Sequence, residues 1–299
     1  MNKLAVFAGI VLATALPAPV LAIDAHTGFS KRTAIFAFAS RCALLGPSEL
    51  SAVQSGQLQT RGVLLRSGTS SAEVAQMQAI AETSAEEIDC TNAEALTEID
   101  LVRSSHASWQ VLHALDYPAT HRSWTTRRDV ALLERRWRVV QDLEISEDSQ
   151  IRFGATSLDG RASLDLLIEN QAPPKSVLLR LRDPNKLENP LPTLVRKILK
   201  LPTEGVAGLA PPNSGAETFF AAHRVPAEAS LLSDTKNVRG VRFGFGAEVL
   251  KAFSQLDPRE AVVVDLYWSA GLGKPDLHKR LYVEVGDFLA ARLFAEAKD

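Results

Sequence analysis

The sequence lacks most of the features that would assign a chemistry at once. Its formal net charge at pH 7 is −2 over 299 residues, a balance that argues against general nucleic-acid binding. It contains no G-x-S-x-G signature, and no run after the first 22 residues is apolar for long enough to span a bilayer. A hydrophobic fraction of 46% is that of an ordinary globular protein, so we expect a soluble chain.

Cysteine is scarce, since Cys42 and Cys90 are the only two in the chain. Their wide separation is unlike the C-x-x-C spacing of redox pairs. In an oxidising, exported compartment two cysteines most simply form one structural bridge. We therefore predict a Cys42–Cys90 disulfide, and we expect neither a metal site nor a cofactor.

The N-terminal stretch "MNKLAVFAGIVLATALPAPVLA" has the pattern of a secretory signal. One lysine precedes an apolar run, prolines interrupt that run, and small residues stand before Ile23. This predicts a signal peptide over residues 1–22, cleaved after Ala22, and a periplasmic or secreted protein with no integral membrane segment after cleavage. A retained N-terminal anchor is the alternative.

Helical periodicity extends from about residue 33 to residue 116. A first helix is predicted around residues 34–44, a second begins at Pro47, and capping boxes at Ser70 and at Thr91 ("TNAE") begin two more. Pro118 is predicted to end the last helix. Residues 23–118 therefore form a predicted four-helix unit, with the disulfide joining the end of the first helix to the joint between the last two.

After Thr120 the pattern changes to short β-branched or alternating runs separated by turn signals. These runs are "RRWRVVQDLEI", "SLDLLIE", "SVLLRLRD", "RGVRFGF", "AVVVDLYW" and "KRLYVEV". Helices are predicted over residues 247–256, in "DFLAARLFAEA" and in "PTLVRKILK", and residues 204–217 are predicted to be an exposed loop. The predicted fold class is α+β, in which residues 119–299 form a larger, mostly antiparallel β-rich domain with two or three helices.

Residues 241–294 give the order strand, helix, strand, hairpin, strand, Gly-Asp-Phe, helix, in "VRFGFGAEVLKAFSQLDPREAVVVDLYW" and "KRLYVEVGDFLAARLF". This order resembles the C-terminal part of bacterial invasion-associated locus B-type exported proteins. The cysteines expected in that family are absent from this segment. The resemblance implies an exported, mostly β-sheet domain without established catalysis.

The stretch "SAGLGKPD", residues 269–276, contains a Gly-Leu-Gly-Lys that is similar to part of a phosphate-binding loop. A P-loop needs glycine five residues before the Gly-Lys pair and Ser or Thr after it, whereas this chain has Trp268 and Pro275. Strand-like runs stand on both sides. The stretch therefore predicts a wide hairpin turn, with Lys274 directed to solvent.

Histidine and serine do not form a recognisable catalytic or metal motif. His106 and His113 are predicted to share a face of the fourth helix, followed by His121, but this spacing is not one used for zinc. Partly buried histidines that hydrogen-bond beside a tryptophan are the simpler interpretation. Ser105 and His106 are adjacent, and adjacent side chains on a helix do not face each other.

Arginine is concentrated in one short region together with tryptophan. The candidate binding residues are Trp124, Arg127, Arg128, Arg135, Arg136, Trp137 and Arg138, and Arg122 stands at the start of the region. Guanidinium and indole groups together suit anionic sugar or phosphate surfaces. The alternative is an ordinary strand in "LERRWRVVQ" with Trp137 inward and Arg136 and Arg138 outward.

These patterns together predict an exported, non-catalytic envelope protein that binds a partner protein or an anionic envelope polymer such as lipopolysaccharide. The alternative is an exported hydrolase whose Ser, His and carboxylate residues are scattered along the chain. A concave pocket where a His meets a Ser or a carboxylate from another segment would favour the hydrolase. The sequence identifies no catalytic residue.

Overall fold

The computed structural model describes residues 18–129, 136–145, 150–158, 160–169, 172–232, 239–272 and 274–297, with side chains from Ala25 onwards. Of the predicted signal peptide, only the backbone of residues 18–22 falls within these ranges. Of the candidate binding residues, Arg135 lies outside them. No helix in the described part of the chain is long and apolar enough to span a membrane.

Four α-helices come first in the chain, as predicted. They are α1 (Ala18–Arg41), α2 (Pro47–Arg66), α3 (Ser71–Glu86) and α4 (Ala93–Gln110). The helix predicted at residues 34–44 is the C-terminal part of the longer α1. Cys42 follows α1 directly, Cys90 lies between α3 and α4, and the two form the predicted disulfide with their Cα atoms 5.7 Å apart.

The helix ends show which local signals were correct. Ser70 Oγ accepts a hydrogen bond from the Glu73 N–H at 3.2 Å, and the Glu73 carboxylate accepts one from the Ser70 N–H at 2.8 Å, so this capping box is confirmed. At α4 the N-cap is Asn92, whose Oδ1 accepts from the Ala95 N–H at 3.0 Å. The prediction of Thr91 as this cap was wrong.

The predicted end of the fourth helix was also wrong, because α4 stops at Gln110 and a short strand follows. This strand, β1 (Ala114–Tyr117), pairs with a second strand, β2 (Trp124–Arg128), and Pro118 ends it. The side chain of Tyr117 is buried in the core, and the segment that carries it pairs with β2 instead of extending α4. His113 is therefore outside α4 and does not share a helix face with His106.

The remaining elements form two antiparallel sheets. The further strands are β3 (Trp137–Ile145), β4 (Gln150–Ser157), β5 (Ala162–Glu169), β6 (Ser176–Arg182), β7 (Ala216–Phe220), β8 (His223–Pro226), β9 (Gly240–Phe245), β10 (Ala261–Trp268) and β11 (Leu277–Glu284). The further helices are α5 (Thr193–Ile198), α6 (Ala229–Leu232), α7 (Ala247–Ser254) and α8 (Phe288–Glu296). A seven-stranded sheet has the order β1-β2-β3-β4-β5-β9-β8, and a four-stranded sheet has the order β11-β10-β6-β7. The α+β fold class is thus confirmed.

The segment predicted as an exposed loop, residues 204–217, is instead partly structured and packed. It contains two short 3-10 helices, Val206–Leu209 and Asn213–Gly215, and Ala216 begins β7. Ala210 is buried with Ala261 and Val263 of β10. The small residues of this segment fit closely against the sheet, which a search for large apolar residues cannot detect.

One hydrophobic core lies between the two sheets and includes α7 and α8. Apolar side chains of β4, β5, β6, β10 and β11 meet there, and aromatic rings fill its centre. Phe253 of α7 and Phe288 of α8 pack edge to face with ring centroids 4.7 Å apart. The core therefore holds the outer faces of the sheets in fixed positions.

The helical unit packs on the β-rich part through α8. Arg66 of α2 forms a buried ion pair with Asp287, with Nη1 2.6 Å from Oδ1. Ser55 Oγ donates to the carbonyl oxygen of Ala290 at 2.9 Å, and Trp109 of α4 contacts Phe294 edge to face. The two parts of the chain thus share a polar and aromatic interface.

The stretch "SAGLGKPD" connects β10 and β11, as predicted for a hairpin. The two strands pair continuously from Ala261 opposite Glu284 to Trp268 opposite Leu277. Gly271 has φ +97°, a value that favours glycine, and the Lys274 N–H donates to the Gly271 carbonyl at 3.2 Å. Gly273 lies outside the described residues. Lys274 is exposed.

Candidate anion-binding surface

A concavity of about 520 Å³ opens on the outer face of the seven-stranded sheet, where β2 and β3 meet α6. We call it the basic groove, because four arginines border it. Its lining residues are His113, Arg127, Arg128, Asp129, Arg136, Trp137, Arg138, Ser157, Leu158, Ser230 and Leu231. The structure thus brings Arg127, Arg136 and Arg138 of the predicted set to one surface.

Strand pairing explains why these arginines meet. Arg127 of β2 and Arg138 of β3 are register partners, so their side chains leave the same face of the sheet. Arg127 is exposed, whereas Arg138 is only 7% exposed and donates to the carbonyl oxygen of Ser230 in α6. The side chain of Arg136 is 51% exposed, and its Nη1 lies 3.4 Å from the Glu228 carboxylate.

Arg128 borders the basic groove, but its guanidinium group is directed into the protein. It donates to the carbonyl oxygens of Trp109 and Phe294 at 2.7 Å each, and also to those of Gln110 and Leu112. Its Cζ lies 3.9 Å from the centroid of the Phe294 ring. A cation at the C-terminal ends of α4 and α8 stabilises both helices. Arg128 is therefore a structural residue.

Both tryptophans of the predicted set lie in the core. Trp124 is fully buried, and its Nε1 donates to the Val285 carbonyl oxygen at 2.8 Å. Trp137 is 7% exposed and belongs to the same hydrophobic core. Their indole rings are therefore not available to stack on a ligand, and any recognition at this surface depends on charge and hydrogen bonds.

Arg122, at the start of the arginine-rich region, stabilises the connection between β1 and β2. Its Nη1 donates to the Tyr282 carbonyl oxygen at 2.9 Å. The backbone N–H groups of Thr120, His121 and Arg122 all donate to the buried carboxylate of Glu284. This carboxylate fixes the segment that carries His121, which does not approach His106 or the basic groove.

A buried carboxylate that the sequence did not single out lies on the same outer face. Asp165 of β5 is fully buried and accepts hydrogen bonds from Thr156 and Ser163. Burial raises the pKa of Asp165, against the opposing effect of those two hydrogen bonds and of Arg242 and His223. Thr156 is the register partner of Arg138, so this carboxylate is close to the arginine pair but takes no part in lining the groove.

The outer face of the four-stranded sheet carries a second charged cluster, centred on Asp265. Its buried carboxylate contacts Arg180, Arg280 and His278, with the last two at 2.8 and 2.7 Å. Burial alone would raise the pKa of Asp265, but hydrogen bonds from Arg280 and His278 and the charges of the two arginines together lower it. The carboxylate of Asp265 is thus held between the two arginines and His278.

The structure also brings together a serine and a histidine that are 58 residues apart. Ser48 Oγ and His106 Nε2 are 2.8 Å apart, and both side chains are buried. His106 packs beside Trp109, with ring centroids 5.7 Å apart, and borders a concavity of about 590 Å³ between the helices. Sequence spacing could not indicate this pair, because α2 and α4 meet only in the folded helical unit.

Among the described residues, no group of three or more His, Cys, Asp or Glu side chains is placed to hold a metal ion. His106 has the predicted environment of a buried histidine hydrogen-bonded beside a tryptophan, whereas His113 is exposed at the rim of the basic groove.

Comparison of the chain with protein-family models, with curated proteins and with solved structures finds no match.

Proposed function

We propose that the protein is an exported, non-catalytic binding protein of the cell envelope, and that its ligand is an anionic polymer held in the basic groove. The observation that carries this proposal is the meeting of Arg127, Arg136 and Arg138 around one concavity, whose described lining residues include one acidic residue, Asp129. The N-terminal signal pattern and the disulfide agree with an exported location.

The chemistry of the groove favours phosphate or acidic sugar groups. A guanidinium group presents planar, paired donors that match phosphate and carboxylate oxygens, and it keeps its charge at any physiological pH. Exposed arginines on a rigid sheet can bind such groups without a large ordering cost. The phosphorylated core of lipopolysaccharide has the required charge and is an envelope component.

The proposal is tested by retention of the protein on native envelope fragments. We expect retention at low salt that added salt reverses, because exposed charge interactions are screened within about 10 Å at 0.1 M ionic strength. Arg127→Ala with Arg136→Ala should reduce retention, whereas Lys251→Gln with Lys274→Gln removes the same charge at two exposed positions outside the groove and serves as the control. No retention of the wild-type protein at low salt would contradict the proposal. Co-purification of one dominant protein without polymer retention would identify a protein partner instead.

A second candidate function, an exported hydrolase, is favoured by the contact between Ser48 and His106. A histidine within hydrogen-bond reach of a serine can act as its general base, and Ser48 lies in the first turn of α2, where backbone N–H groups can stabilise an oxyanion. Covalent labelling by a fluorophosphonate probe decides between the two functions. Labelling that Ser48→Ala abolishes and Ser105→Ala leaves intact would establish the hydrolase, and absence of labelling supports the binding protein.

A further inference from the structure

Helix α5 exposes apolar side chains to an unusual degree. Leu194 and Ile198 are each 70% exposed, Leu199 is 54% exposed and Val195 is 36% exposed. No other six-residue stretch in the described part of the chain exposes four large apolar side chains. Exposed apolar patches on proteins mark interaction surfaces, so we expect α5 and the residue that follows it to contact a partner.

The exposed side chains are held in place by a buried arginine. Arg196, in the middle of α5, is 4% exposed and donates to the carbonyl oxygens of Pro202, Ala207 and Ala210. The Leu201 N–H closes the turn on the Arg196 carbonyl at 2.9 Å. The helix therefore directs its arginine inward and its leucines outward, and the apolar side chains are presented rigidly.

The charge of the same turn indicates what kind of partner it fits. Lys197 and Lys200 are both exposed, and residues 193–201 contain no acidic residue. Lysines beside exposed leucine and isoleucine side chains are the pattern of an interfacial membrane anchor, in which acyl chains receive the apolar groups and lipid phosphates receive the ammonium groups. We define the membrane-docking turn as Leu194, Val195, Lys197, Ile198, Leu199 and Lys200.

We propose that the membrane-docking turn attaches the protein to the surface of an anionic phospholipid bilayer. The proposal does not depend on the basic groove, since α5 follows β6 of the four-stranded sheet and the groove lies on the seven-stranded sheet. The two surfaces would allow one molecule to contact a membrane and an anionic polymer at different sites.

The test places an environment-sensitive NBD fluorophore at Ile198→Cys in the full chain. Vesicles of phosphatidylglycerol and phosphatidylcholine should increase and blue-shift its emission, and pure phosphatidylcholine vesicles should do so less. The control is the same fluorophore at Leu272→Cys, a fully exposed position in the β10–β11 hairpin. A probe at the turn reports insertion of α5 itself, so membrane binding through the N-terminal apolar segment does not produce the signal.

Substitutions then measure the contribution of each group. Leu194→Asp with Ile198→Asp should lower the vesicle partition coefficient at least about tenfold, because each inserted side chain of this size is worth about a tenfold change. Lys197→Gln with Lys200→Asn should remove the preference for anionic lipid, and asparagine suits the positive φ of 54° at position 200. Lys251→Gln with Lys274→Gln should leave partitioning within about twofold of wild type, since these exposed residues lie outside both the turn and the basic groove.

Unchanged NBD emission with anionic vesicles, in a protein whose melting temperature equals that of wild type, would overturn the proposal. A lipid-independent emission change that accompanies dimerisation would also overturn it, because the turn would then be an interface between two copies of the chain.

Discussion

The two neighbouring arginines of β2 should respond in opposite ways to the same substitution. Arg128→Ala removes a buried guanidinium group that donates to four carbonyl oxygens, at distances from 2.7 to 3.0 Å, and packs on Phe294. Arg127→Ala removes an exposed guanidinium group one residue away. Both changes delete one positive charge, so any difference between the variants comes from their environments.

The expected loss of unfolding free energy for Arg128→Ala is about 3–6 kcal/mol. A hydrogen bond to a charged group contributes about 1.5–3 kcal/mol, and some of the four freed carbonyls at the helix ends can be reached by water, so the loss corresponds to about two such bonds. For Arg127→Ala we expect less than about 0.5 kcal/mol, which is usual for a surface substitution.

Urea unfolding followed by tryptophan fluorescence measures both values, since Trp109 and Trp124 report on the interface that Arg128 holds. Arg128→Lys provides a further comparison, because a lysine keeps the charge but cannot donate to four separate carbonyls. Equal stability of the Arg127→Ala and Arg128→Ala variants would refute the structural role of Arg128.

Three further predictions concern stability. The Cys42→Ser/Cys90→Ser variant should lose about 4 kcal/mol of unfolding free energy by urea titration, from the loop entropy of a 48-residue separation, and an unchanged midpoint would contradict this. Arg66→Ala should cost about 3–5 kcal/mol in the same assay, because it leaves the Asp287 carboxylate buried without its cation, whereas a loss below 1 kcal/mol would be inconsistent with a buried pair. Burial raises the pKa of Asp165 above its ordinary value of 3.8, so its protonated form favours folding below that value and this stability is lost as the pH rises through the folded pKa. From about pH 4 to pH 8 the unfolding free energy of wild type should therefore fall relative to that of Asp165→Asn, whose residue 165 does not titrate, and identical slopes would show that Asp165 has an ordinary pKa.

Local signals in the sequence were sufficient for much of the fold. The capping box at Ser70, the alternation in "KRLYVEV" and the two cysteines each depend on residues close in the chain or on a unique pair, and the structure agrees with all of them. The short strands β1 and β2 were missed because their few residues show no clear alternation and are stabilised by pairing, β1 with β2 and β2 with β3. Asn92 was missed as a cap because Thr91 and Glu94 match the spacing of a capping box, although asparagine is the stronger capping residue.

The candidate site was harder to predict because burial of a charged side chain depends on distant partners. Arg128 is stable inside the protein because carbonyl oxygens at the end of α4 and that of Phe294, 166 residues away, accept its hydrogen bonds. Trp124 and Trp137 were predicted as candidate binding residues because they stand among arginines in the chain, and only the packed sheets show that both indoles lie in the core. The contact between Ser48 and His106 could not be predicted for the same reason, because the two residues are 58 positions apart in the chain and meet only after folding.

The most direct test of the basic groove is the dissociation constant for the phosphorylated core oligosaccharide of lipopolysaccharide, freed of its acyl chains so that membrane docking cannot contribute. Arg127→Ala with Arg136→Ala should weaken binding at least about tenfold at low salt, because two charge-assisted contacts are lost. Lys197→Gln with Lys200→Asn should leave the constant within about twofold of wild type. Equal weakening by both pairs, or no measurable binding by the wild-type protein at low salt, would contradict the assignment of the anion-binding site to this groove.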